Sequence, residues 1–154
     1  FLPYLSGERT PHNDAQIRGA FTGLGTQTGP EDMTRAVLTG VAFGLRDSAE
    51  AAKSAGADIG MLHVIGGGAA SDYWVRLIAT VLNTPLARPQ GGEFGAALGA
   101  ARLGLIAATS ADPQEVMQPP ADVTLFDPEA GLVASFDEAY SGFRAAYPAI
   151  RAVQ

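Results

Sequence analysis

Residues 61–83 read MLHVIGGGAASDYWVRLIATVLN and hold the clearest local pattern in the chain. An apolar run at 62–65 predicts a buried strand, and it leads into three consecutive glycines, Gly66, Gly67 and Gly68. Because glycine has no Cβ and tolerates positive φ, such a turn brings bare backbone N–H groups close to an anion. The pattern therefore predicts a phosphate-bearing ligand at this turn, without naming the ligand.

A helix pattern follows the glycines. Ser71 and Asp72 are favourable residues at the start of a helix, and we predict the helix at 71–83. Its apolar stripe has helical spacing and consists of Trp74, Leu77, Ile78, Val81 and Leu82. Since Trp74 lies on this stripe, we expect it in the core rather than as a stacking platform for a ligand.

The composition excludes several classes of protein. Of 154 residues, 47% are apolar and 17% charged, which is typical of one globular domain with a core. A net charge of −6 with scattered basic residues argues against nucleic-acid binding, and no apolar run is long enough for a membrane span. The absence of cysteine excludes a thiolate metal site and suits the cytoplasm, and two distant histidines do not indicate a metal site.

The remaining elements predict an α/β fold. We expect an ordered loop at 1–18, short strands at 19–24 and 85–88, helices at 30–54 and 93–105, a connector at 109–128, and a last helix that ends near Pro148. The strand–helix alternation predicts mainly parallel strands under helices. Parallel sheets are covered on both faces, so these few strands and the apolar start of the chain lead us to expect a piece of a longer protein.

Small residues predict two close contacts. Gly40 and Gly44 lie one turn apart on the apolar stripe of the first helix, which indicates another backbone packed against it. The small face at 96–101 is expected to let its helix close against the glycine turn.

Four segments of the chain resemble the FGGY family of carbohydrate kinases. They are FLPYLSGERTPHND at 1–14, RGAFTGLGTQTGPEDMTRAVLTGVAFGLRD at 18–47, VIGGGAASDYW at 64–74 and GGEFGAALGAARLG at 91–104. The second segment departs from the family pattern at Thr39, where an acidic residue or Gln is usual. The first segment favours the xylulokinase branch of the family.

The resemblance implies a fold and an activity. It implies that residues 1–154 are the C-terminal part of the second of two ribonuclease-H-like domains, as in the actin, Hsp70 and sugar-kinase superfamily. The family transfers the γ-phosphoryl group of ATP, with Mg²⁺, to a sugar, here a ketopentose, D-xylulose, giving D-xylulose 5-phosphate. Its general-base Asp lies upstream of these residues, as do the N-terminal domain and the start of the second. This chain alone is therefore expected to contain no catalytic residue and to be inactive.

The resemblance also implies a nucleotide site. Gly66, Gly67 and Gly68 are expected to approach the ADP moiety, with Ser71 and Asp72 near the adenosine. Asp72 has a second interpretation, as a first-turn acid that stabilises the helix dipole. An isolated half-domain exposes apolar surface, so self-association, for example as a homodimer, is a further expectation.

Three alternatives stay open from the residues. Other FGGY kinases use ribulose, gluconate or fuculose. An NADP-binding dehydrogenase domain is suggested by Gly66-x-Gly68 after a strand and by Arg88, which suits a 2′-phosphate, although Ser71 occupies the third glycine position. The third alternative is a nucleotide-binding or oligomerisation module without chemistry.

Overall fold

Helices dominate the computed structural model, which describes residues 1–118 and 123–154. The helices are Pro30–Ser54 (α1), Asp72–Leu82 (α2), Gly95–Thr109 (α3), Pro113–Val116 (α4) and Ala130–Arg151 (α5), and the strands are Leu62–His63 (β1), Leu86–Pro89 (β2) and Val123–Phe126 (β3). The predicted α/β class is confirmed. None of the helices in these two ranges has both the length and the apolar character that crossing a membrane requires.

The sheet has the order β1-β2-β3 and is mixed. β1 runs parallel to β2, with Leu62 opposite Leu86, and β3 runs antiparallel to β2, with Phe126 opposite Leu86. The expectation of mainly parallel strands is therefore corrected. β3 falls in the predicted connector at 109–128, of which residues 119–122 lie outside the described residues. A four-residue strand has too few residues to show a clear alternation after a proline-bearing segment.

α1 has the predicted bounds because its first turn is well capped. Gly29 precedes Pro30 in an extended conformation, and the Gly29 amide donates to Oδ2 of Asp32 at 3.1 Å. Asp32 and Glu31 place negative charge at the positive end of the helix dipole. Capping residues therefore identified this helix start from sequence.

The predicted close approach at Gly40 is confirmed. A Cβ on Gly40 would overlap the carbonyl oxygen of Phe1, so only glycine lets the first residues lie against α1. Gly44 is different, because a Cβ there would lie 3.6 Å from Cγ of Pro3, an ordinary van der Waals distance. The backbone contact thus involves only one of the two glycines.

The core lies where α1, α2 and α5 meet the opening loop and the sheet. Its large members come from each of these elements and are Leu2, Tyr4, Ile17, Phe43, Val75, Leu77, Ile78, Val81, Leu82, Leu86, Phe126, Tyr140 and Phe143. The rings of Phe43, Phe136, Tyr140 and Phe143 form an aromatic cluster, with the Phe43 centroid 5.3 Å from that of Phe143 and 5.6 Å from that of Tyr140. Such tilted and edge contacts stabilise beyond simple area burial.

The opening loop is ordered, as predicted, and Asp14 holds it in place. Oδ1 of Asp14 accepts from the amides of Gln16 and Ile17 at 3.0 and 3.2 Å. Oδ2 accepts from the Tyr147 hydroxyl at 2.9 Å and from Nη1 of Arg151 at 3.0 Å. Hydrogen bonding, first of all from Tyr147, lowers the pKa of the Asp14 carboxyl below its ordinary value.

Several predicted boundaries are wrong. α3, expected at 93–105, runs from Gly95 to Thr109, and β1, expected at 62–65, ends at His63. The expected strand at 19–24 is reduced to a single bridge between Leu2 and Ala20, because Gly23 adopts φ +71° and ends the extended run. α5 continues past Pro148 to Arg151. The proline removes only one N–H donor, and Arg151 is fastened to the opening loop, which favours the extra turn.

Candidate functional site

Two glycine turns meet at one edge of the sheet. The turn at 66–68 follows β1, and the turn at 91–92 follows β2. Because β1 and β2 are adjacent and parallel, their carboxyl ends lie at the same edge, where α/β proteins commonly bind ligands. The amide of Gly66 donates to the carbonyl of Gly92 at 3.0 Å, which joins the two turns.

The backbone conformation at position 66 requires glycine. Its φ is +93° and its ψ is 171°, a combination that side chains of L-residues rarely adopt. Because its amide is bonded to Gly92, that N–H is not available to a ligand. Gly66 therefore shapes the turn instead of presenting an amide.

Gly67 and Gly68 open a single 3₁₀ turn, Gly67–Ala70. Within the described residues neither of their amides has an acceptor, as is usual at the start of a helical turn. A Cβ on Gly67 would meet no atom within 4 Å, whereas one on Gly68 would lie 3.3 Å from Cδ1 of Trp74. Gly67 thus faces open space, and Gly68 is backed by an indole ring.

Ser71 caps α2, and the predicted helix is confirmed to within one residue at each end. Oγ of Ser71 accepts from the amide of Trp74 at 3.3 Å. The Trp74 ring is partly buried and packs against the core, as predicted. The Ser71 side chain is exposed at the turn, and its hydroxyl proton is not used by the cap.

Asp72 is paired with a residue from the neighbouring strand. Nη1 of Arg88, in β2, donates to Oδ1 of Asp72 at 2.6 Å and to the Ala69 carbonyl at 2.9 Å. The Arg88 guanidinium also lies over the Phe126 ring, 4.9 Å from its centroid. Asp72 is therefore both a first-turn acid and part of a bridge between the glycine turn and the sheet.

The sequence analysis did not find this role of Arg88. The only sequence signal for Arg88 was its position at the end of a predicted strand. That position was interpreted only as a feature of an NADP-binding dehydrogenase. The side chain borders a groove of about 590 Å³ that also touches Ala70, Gln90 and Thr124. The contact of Phe126 with Arg88 was not predicted, because β3 itself was not predicted.

The small face of α3 does not behave as expected. Gly95 approaches Ile65 closely, since a Cβ there would lie 2.9 Å from Cδ1 of Ile65. Beyond that residue, however, α3 has no fully buried side chain among the described residues. The prediction that 96–101 pack against the glycine turn is wrong, because none of these residues is buried and the close contact of α3 is that of Gly95 with Ile65.

The structure describes the side chains of residues 1–118 and 123–154 apart from Glu93, and among these no three His, Cys, Asp or Glu side chains are placed to hold a metal ion.

Comparison with known proteins identifies the family. The model of the FGGY family of carbohydrate kinases, C-terminal domain, matches residues 1–108. The chain belongs to this family. It is similar to the xylulose kinase of Escherichia coli (strain K12), with 49% identity over 108 residues, which are 70% of this chain and 22% of that protein.

Solved structures agree with the model over nearly the whole chain. A xyloylose kinase from Brucella ovis gives a TM-score of 0.87 at 54% identity and covers 99% of this chain, which spans 32% of that one. A ligand-bound xylulose kinase from Lactobacillus acidophilus gives 0.77 at 29% identity, covering 98% of this chain and 31% of that one.

The resemblance to the xylulokinase branch and the ribonuclease-H-like fold are thus confirmed. The chain spans about a fifth of the length of the curated relatives it matches. A dehydrogenase domain is not favoured, because the family match covers the glycine turn and Arg88 is bonded to Ala69 and Asp72.

Proposed function

We propose that this chain is the C-terminal, nucleotide-binding part of an ATP-dependent carbohydrate kinase that converts D-xylulose into D-xylulose 5-phosphate. The family membership and the similarity to xylulose kinases support the proposal. The sugar is inferred from those relatives alone, since the candidate site on this chain is directed at the nucleotide.

One observation carries the nucleotide part of the proposal. The amides of Gly67 and Gly68 have no acceptor in the described residues, and the space in front of Gly67 is open. Backbone N–H groups in a glycine turn bind phosphate oxygens without a side chain that would hold the ligand off. After Ala69 and Ala70, Ser71 and Asp72 complete the five residues that we assign to the ADP or ATP site, in which Gly66 shapes the turn and Asp72 lies beside the ligand without donating to it.

The open surfaces support a division of the protein into domains. In our proposal residues 1–154 are the C-terminal part of the second domain, and the first domain and the start of the second belong to the rest of the protein. Within the described part of the chain, β1 pairs only with β2, which leaves its other edge unpaired. Exposed apolar residues on α3, namely Leu98, Leu103 and Leu105, fit a surface that further structure would cover.

In this proposal the phosphoryl transfer depends both on this chain and on the rest of the protein. This chain would bind and orient the nucleotide through Gly67, Gly68 and Ser71, while the general base that accepts the sugar hydroxyl proton would lie outside it. Mg²⁺ would enter on the phosphates of ATP and neutralise their charge. We propose a cytoplasmic location, because the reaction would use the cellular pool of ATP, and association as a homodimer stays a prediction.

Gly67→Val is the sharpest test of the turn. Its side chain would project into open space, so the fold should persist, while the added methyl groups would cover the amides. Gly68→Val is less informative, because it would also displace Trp74. We expect Gly67→Val to weaken binding of ADP at least about tenfold by calorimetry, the loss of one or more charge-assisted hydrogen bonds.

The matched control is Gly131→Ala, which also adds a side chain in open space but lies at the start of α5. It should bind ADP like the unmodified protein. Equal ADP affinity in both variants would remove the turn from the nucleotide site.

A further inference from the structure

An acidic side chain stands beside a turn to which we assign an anionic ligand. Asp72 is 67% exposed and begins the helix that follows the glycines. A nucleotide diphosphate brings further negative charge to Gly67 and Gly68. Charges of the same sign at this range repel, and only a positive group nearby would cancel the effect.

Arg88 is such a group, and three contacts fix its position. It donates to the Asp72 carboxylate and to the Ala69 carbonyl from the same nitrogen, and it stacks on Phe126, which is buried in the core. Phe126 stands opposite Leu86, two residues before Arg88 on β2, so the two side chains share a face of the sheet. The Arg88 side chain is 25% exposed, so its charge is less screened than that of a free surface arginine.

We propose that Arg88 is a positioning residue of the nucleotide site, which cancels the charge of Asp72 and holds the Ala69 carbonyl so that phosphate can approach the amides of Gly67 and Gly68. This inference rests on the proposed function. Gly68 and Ala69 are consecutive, so their Cα atoms are about 3.8 Å apart and a phosphate on the Gly68 amide lies within the range of the Arg88 charge.

The test is a double-mutant cycle in the full-length protein that carries this chain, with the affinity for ADP measured by displacement of a fluorescent ADP analogue. Arg88→Met leaves the Asp72 charge uncancelled, and we expect ADP binding to weaken about tenfold at low ionic strength, and less at high ionic strength. Asp72→Asn should bind ADP at least as tightly as the unmodified protein. In Arg88→Met with Asp72→Asn, affinity should return to within about threefold of the unmodified value.

Two further variants separate charge from structure. Arg88→Lys keeps the positive charge but not the planar guanidinium that stacks on Phe126, so it should retain affinity within about threefold if the charge is what matters. It also covers the case in which Arg88→Met does not fold. Arg76→Met removes another arginine that lies near the Phe126 ring, at 5.7 Å, but has no bond to the turn, and it should leave ADP affinity unchanged. The KM for the sugar should not change in any of these variants.

Normal ADP affinity in Arg88→Met would overturn the inference. So would a double variant as weak as Arg88→Met, because a purely structural bridge is not restored by removing the Asp72 charge. Failure of the proposed function looks different, since in that case the unmodified protein itself would not bind ADP.

Discussion

We call the turns at 66–68 and 91–92 together with α3 the glycine edge. The aromatic cluster and the glycine edge are packed in opposite ways. In the cluster, large rings from α1 and α5 fill the space between helices. In the two turns of the glycine edge the side chains are small or absent, and the amides of Gly67 and Gly68 have no acceptor among the described residues. The aromatic cluster therefore stabilises the fold, while the glycine edge keeps its backbone accessible to a ligand.

Two carboxylate–arginine pairs differ in the same sense: Asp14 with Arg151 at the end of α5, and Asp72 with Arg88 next to the turn at 66–68. Asp14 is buried and accepts four hydrogen bonds, one of them from Arg151. Asp72 is exposed and accepts from Arg88 alone in the described residues. A buried, fully bonded carboxylate stabilises the fold, whereas an exposed pair contributes little to stability and is free to serve a ligand site.

The largest expected difference is between Phe43→Ala and Leu103→Ala. Phe43 is 5% exposed at the centre of the aromatic cluster, so its truncation should lower the free energy of unfolding by about 3–5 kcal/mol. In the isolated chain Leu103 is 60% exposed on α3, and its truncation there should change that free energy by less than about 0.5 kcal/mol. Urea denaturation of both variants measures the difference, and similar losses would mean that α3 is as well packed as the cluster.

A smaller difference is expected between two glycines of α1. Gly40→Ala would force a methyl group into the Phe1 carbonyl, and we expect a loss of about 1–3 kcal/mol in the free energy of unfolding. Gly44→Ala has room for the methyl group and should gain up to about 1 kcal/mol from helix propensity. Thermal unfolding gives both values. A stabilising Gly40→Ala would show that the opening loop does not lie against α1.

The smallest effects concern pH. The pKa of Asp14 is lowered in the folded state from its ordinary 3.8, so its contribution to stability is complete above that value and is lost as the pH falls through the lower, folded-state pKa. Asp14→Asn should therefore destabilise the protein at neutral pH, and its difference from the unmodified protein should shrink in acid. Asp72→Asn, at an exposed pair, should change the free energy of unfolding by about 0–1 kcal/mol.

Unfolding followed from neutral pH to strong acid distinguishes the two carboxylates. A constant difference between Asp14→Asn and the unmodified protein over that range would contradict the assignment of Asp14 as a bonded carboxylate in the fold.

Local signals accounted for α1, α2 and the glycine turn. A capping acid, helical spacing and consecutive glycines act within a few residues, so they can be read directly in the chain. The same reasoning missed β3 and placed the end of α5 at Pro148, because the strand is held by pairing with β2 and the last turn of α5 by the bond from Arg151 to Asp14, 137 residues away. Neither partner is near in sequence.

Some features of the candidate site also follow from local sequence, and others depend on tertiary contacts. Gly66 at positive φ, Ser71 as the cap of α2 and the family of the protein follow from residue types and their order, since glycine turns and helix caps are short-range chemistry. The packing of β1, β2 and β3 decided three other features. The Gly66 amide donates to Gly92, Arg88 joins Asp72 to Ala69, and α3 is largely exposed. Contacts between strands bring together residues that the linear order keeps apart, so only the folded chain reveals them.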